Sequence, residues 1–168
     1  MQESVLDHLK TWFQYEKDAH SKTIASLTSV PKEKRDRKEF QKAKSLFAHI
    51  VGARWLWLKR MGVLENIPAD LFPDNINANE LSPMADETHK AWDNYFSSLD
   101  QKELERVFEY KSTEGIWYSN EVEEILIQLF GHSWYHRGQI AQLVRNLDET
   151  PAETDFVYWT RKEIPSKD

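Results

Sequence analysis

Between Val122 and Leu147 the apolar residues keep a helical period, and two histidines sit inside that pattern. A step of about 100° per residue places Val122, Ile125, Leu129, His132, His136, Ile140, Leu143 and Leu147 in one narrow stripe. A run of this length suits a packed helix and is too long for a strand. Asn120 followed by Glu123 resembles a capping box, and Glu121 and Glu124 suit the positive end of the helix dipole. His132 and His136 should therefore point inward, with Cβ atoms roughly 6 Å apart and both rings able to reach one ion at about 2.1 Å.

Three earlier segments show the same period. Val5, Leu9, Trp12, Phe13, Ile24 and Leu27 mark a first helix that stops before Pro31. Phe40, Leu46, Ile50, Ala53, Leu56 and Trp57 mark a second, with Gly62 as its C-terminal cap. Residues 63–82 carry Pro68, Pro73 and several Asn and Asp, which predicts a long connection. Ser82-Pro83 then opens a third helix whose face holds Ala85, Thr88, Trp92, Tyr95, Phe96 and Leu99. Around Ser112-Thr113-Glu114-Gly115, the β-formers of Arg106 to Tyr110 and Ile116 to Tyr118 predict a short hairpin before the fourth helix. Pro151 to Trp159 reads as an ordered tail packed on the bundle. The expectation is one all-α domain over residues 1–168, a four-helix bundle with a crossover between its second and third helices.

Composition removes several function classes. The chain of 168 residues has no Cys, so a thiolate nucleophile, a disulfide framework and Cys-ligated zinc are all excluded. Any metal must use His, Asp or Glu. A formal charge of -6 disfavours nucleic acid as a partner, and the basic run from Lys32 to Lys38 also contains Glu33 and Asp36, as a solvated helix face would. No segment has the roughly 20 apolar residues of a membrane span, and the first residues lack the basic and apolar regions of a secretory signal, so the cytoplasm is the expected compartment.

On the second helix the same projection aligns His49 with Leu46, Ala53, Leu56 and Trp57. A single inward histidine is usually a hydrogen-bonded core residue. Three of them, His49, His132 and His136, would each need a separate buried partner, whereas one metal ion satisfies all three lone pairs at once. The spacing is not that of a zinc protease, because Ser133 stands where that motif has its glutamate base.

The segments Phe47-Ala48-His49-Ile50 with Trp55-Leu56, and Gly131 through Ile140 with its His-x-x-x-His-Arg-Gly-Gln-Ile core, resemble the two metal-ligand segments of the DinB/YfiT-like superfamily. Tyr15 with its surroundings and the tail Pro151-Ala152-Glu153-Thr154-Asp155-Phe156 extend the resemblance over nearly the whole chain. The resemblance implies an up-down-down-up bundle, commonly a homodimer, in which three histidines hold a divalent ion, zinc or nickel, and leave positions open for water or substrate. It also implies a metal-dependent thiol S-transferase or hydrolase with a small-molecule substrate such as a low-molecular-weight thiol. The alternative is a non-catalytic metal-binding or stress-response module, which a fourth protein ligand closing the site would favour.

Glu16 and His20 share the inward stripe of the first helix with Leu9, Phe13 and Leu27, where typical family sequences carry Asn. Glu16 is the candidate general base and His20 a candidate pocket residue or extra ligand; the bland alternative is an internal Glu-His pair. His8 and His89 fall at the stripe margins and are expected on the surface. Ile127, Phe130 and Trp134 form a second apolar stripe that the hairpin, the tail or a symmetric partner must cover.

Overall fold

The computed structural model describes residues 4–73 and 75–165. Helix α1 (Val5–Ser29) starts at Ser4, whose amide donates to Asp7 Oδ2 while its hydroxyl accepts from the Asp7 amide. Two otherwise unpaired helix-end donors are thereby satisfied. Helix α2 (Lys38–Arg60) ends as the sequence suggests, with Gly62 in the left-handed region at φ 74°. Helix α3 (Leu81–Ser98) continues a 3-10 turn over Ala78–Glu80 that Asn77 and Glu80 cap reciprocally. It therefore begins before Ser82-Pro83, and Pro83 sits in the first turn, where no amide is required.

A single-turn helix α4 (Gln101–Leu104) leads to strands β1 (Val107–Lys111) and β2 (Trp117–Glu121). They pair antiparallel with Tyr110 opposite Tyr118, which is the expected hairpin. Strand β2 runs directly into helix α5 (Val122–Arg145), so Asn120 remains in the ladder and the cap moves by one residue: the Glu121 amide donates to Glu124 Oε2 at 3.1 Å. A short α6 (Phe156–Thr160) ends the described chain.

The principal helix pairings are α2 with α5 and α3, and α1 with α5 and α3. The four long helices thus close a ring in which α1 faces α2 diagonally, and the α2–α5 seam is the most extensive. Trp92, Phe13, Phe47, Phe130, Ile50 and Leu58 are fully buried inside it. Each contributes about 1.5 to 3 kcal/mol by leaving water. No helix among the described residues is long and apolar enough to cross a membrane.

The helices are rotated slightly from the projected setting. On α2 the buried face is Phe47, Val51, Arg54, Trp55 and Leu58, with His49, Ala53, Leu56 and Trp57 at its margin. On α5 it is Leu126, Phe130, Ser133, Arg137 and Val144, with His132, His136 and Leu143 beside it. Helix α1 covers part of the second apolar stripe: Trp12 stands edge-on to Phe130 at 5.6 Å and to Trp134 at 5.7 Å, while Ile127 and Trp134 remain exposed.

Candidate metal centre

Because α2 and α5 are neighbours, the margins of their buried faces meet, and His49 lies against His132 and His136. His49 Nε2 is 3.0 Å from His132 Nε2, which is 3.1 Å from His136 Nε2. Two nitrogens about 2.1 Å from a shared ion lie roughly 3.0 to 3.4 Å apart for right-angle to tetrahedral bonding. One ligand atom from each of the three residues lies within 4.8 Å of the others, and this is the only His, Asp or Glu group of that kind among the described residues. All three histidines are half-buried, so the cluster opens to solvent and is not sealed in the core.

Proton placement fits a metal better than a hydrogen-bonded trio. His136 Nδ1 stands 2.7 Å from Gln139 Oε1, one turn along α5. The tautomer that donates there leaves the Nε2 lone pair directed at the cluster, as an outer partner of a ligating imidazole does. Without an ion, His132 Nε2 has to serve both neighbours while its own Nδ1 is buried with no partner. Burial, followed by the charge of His136, pushes the His49 pKa down. The same two causes, with His49 added, push His132 down to about 4. Neutral imidazole is the form that binds metal.

Glu16 and His20 do not join this cluster. Glu16 is 1% exposed and accepts from Arg54 Nη2 at 2.7 Å, Arg137 Nη1 at 2.5 Å and Trp134 Nε1 at 3.1 Å. Burial alone would raise its pKa, but hydrogen bonding from His20 and the charges of Arg137 and Arg54 override that and hold the carboxyl well below the usual carboxylate range. His20 Nε2 is 3.3 Å from Glu16 Oε2, and its Nδ1 is 3.0 Å from His89 Nε2. Nδ1 of His20 is therefore engaged by His89, while its buried Nε2 faces the Glu16 carboxylate without a well-formed hydrogen bond. His89, expected on the surface, is instead half-buried in ring contact with Phe13, and burial pushes its pKa down to about 3.

Arg54, Ser133 and Arg137 are the residues that the sequence pattern passed over. Arg54 also donates to Ser133 Oγ at 3.2 Å, and Arg137 Nη2 donates to Tyr15 Oη at 2.8 Å. Tyr15 in turn donates to the Thr154 carbonyl and stands edge-on to Phe156, which fastens the C-terminal segment to α1. One signal was available: an inward carboxylate at Glu16 requires an inward cation. A cleft of about 430 Å³ opens beside Tyr15, Arg137 and Phe156, and none of the three clustered histidines lines it.

Among curated proteins none matches the chain. The sequence model of the DinB family matches residues 1–167, almost the full length. The chain belongs to the DinB family.

Proposed function

We propose that this protein is a divalent-metal-dependent enzyme of the thiol S-transferase or hydrolase type, with His49, His132 and His136 as its metal ligands. The observation that carries this reading is the convergence of three Nε2 atoms on one half-buried point. A zinc or nickel ion held there would act as a Lewis acid, bringing a coordinated water or thiol toward a neutral pKa. The chain's own residues supply the rest. The Gln139 contact orients His136, and burial keeps His132 and His49 unprotonated at neutral pH. The rigid α2–α5 seam fixes the spacing of all three.

The non-catalytic alternative needs a fourth protein ligand, and His20, the candidate from sequence, lies outside the three-histidine cluster, with its ring placed between Glu16 and His89. That supports open coordination positions. We read Glu16 as a positioning residue and not as the general base, because its oxygens face two guanidinium groups and it is a poor proton acceptor. A small-molecule substrate such as a low-molecular-weight thiol, a cytoplasmic setting and a homodimer remain parts of the proposal.

The test is metal analysis of protein purified without a nickel column, followed by a screen of thiols against electrophiles. About one zinc or nickel per chain with thiol-dependent turnover supports the reading. A chain that purifies without metal and takes none up rules it out.

A further inference from the structure

The connection from α2 to α3 could have passed anywhere along the bundle, but it is seated beside the histidines by an absent side chain. Gly52 lies on α2 one turn beyond His49, and a Cβ there would be 2.0 Å from the Leu71 carbonyl oxygen and 2.8 Å from Phe72 Cε1. Only glycine admits the connection this close, since the first of those clashes is with backbone. Leu71 packs against the hydrophobic core, and the Phe72 amide donates to Asp70 Oδ1 at 3.2 Å, so the turn carrying Phe72 is fixed at both residues. The Phe72 ring then rests 5.3 Å from the His49 ring, tilted by 35°.

Phe72 remains 46% exposed in this position. A ring serving only as a core anchor would be buried, whereas this one presents apolar surface at the edge of a polar cluster. Tyr135, 65% exposed, lies 5.1 Å from the His136 ring. Two of the three histidines thus have an exposed aromatic ring against them. Flat ligands gain from offset or edge contact with such rings.

We infer that Phe72, seated by the Gly52 notch, forms an aromatic wall of the three-histidine site that selects ligands with a metal-binding head on a flat apolar body. The inference rests on the metal reading above. Phe72 is a specificity residue in this scheme, and Gly52 positions it.

The experiment uses the full chain loaded with cobalt(II) and titrated with acetohydroxamate and benzohydroxamate, binding being followed by the cobalt absorption bands. The wild type is expected to bind benzohydroxamate roughly tenfold more tightly than acetohydroxamate. Phe72→Ala should bring that ratio close to one while leaving cobalt content and acetohydroxamate affinity unchanged. Gly52→Ala, which has to displace the Leu71 carbonyl, should lose the preference in the same way. An equal ratio in wild type and Phe72→Ala overturns the wall, as does a Phe72→Ala protein that binds both probes more tightly by the same factor, since Phe72 would then be a cover. A wild type that takes up no cobalt fails the three-histidine reading itself, and metal analysis before any probe is added separates that failure from the others.

Discussion

Arg54 and Glu16, on helices that face each other diagonally across the bundle, meet at 2.7 Å with side chains 2% and 1% exposed. Arg137 reaches the same carboxylate from α5. One negative charge thereby ties α1 to both helices that carry the clustered histidines. Removing one partner of a buried ion pair typically costs about 3 to 5 kcal/mol, because the remaining charge is stranded.

Glu16→Gln is therefore expected to lower unfolding stability by about that amount, as measured by urea denaturation of the metal-free protein. It should also weaken metal binding by loosening the α2–α5 seam. A variant of normal stability and normal metal content that has lost turnover would restore Glu16 as the base.

Each of His49→Ala, His132→Ala and His136→Ala should abolish stoichiometric metal, because two remaining imidazoles make a much weaker chelate. Metal analysis after dialysis reads this directly. Full occupancy in His49→Ala would remove α2 from the centre. Affinity should fall as pH drops below about 6, where protons begin to compete for imidazole.

The metal-free protein should lose stability as pH falls from about 7 toward 4. His20, His49, His89 and His132 all have pKa values held down in the fold, chiefly by burial. Below about 6.5 the unfolded chain takes up protons that the folded one refuses, so stability rises with pH across that window. The Glu16 contribution has the same sign at lower pH: it is complete above the unfolded value of 4.5 and is lost as pH falls toward the depressed folded value. Denaturation midpoints at pH 7.5, 6.0 and 4.5 check the trend, and a flat profile contradicts it.

Ile127, 46% exposed on α5, is the residue with which to test dimerisation. Trp134 is unsuitable, because its indole donates to Glu16 and its loss would damage the interior. If the α5 stripe is a homodimer interface, Ile127→Glu should give a folded monomer by sedimentation. A monomeric wild type would show that Trp12 and α1 already complete the cover.

The long helices, the Gly62 cap, the hairpin and the His132–His136 pair were legible in the sequence because each depends on local period or spacing, whereas joining His49 to that pair took the family resemblance. The rotation of α2 and α5 was not legible. Projection ranks apolar residues inward, so it put the histidines at the centre of the stripe and gave Arg54 and Arg137 no place. The interior instead centres on the row that contains them, since a buried Glu16 draws both guanidinium groups inward. His89 was misplaced for a related reason: its burial depends on His20, which lies 69 positions away in the sequence.

On α5, His132 and His136 lie one residue out of phase with Ser133 and Arg137, so the proposed ligands and the helix-anchoring residues fall on adjacent rows of a single helix. Since the anchoring row contains none of the proposed ligands, the polypeptide is expected to reach its final shape empty and be loaded afterwards. Which ion occupies it would then be settled by cellular supply and exchange at a finished opening. Two batches expressed on different trace-metal media should share one fold yet differ in the element they carry.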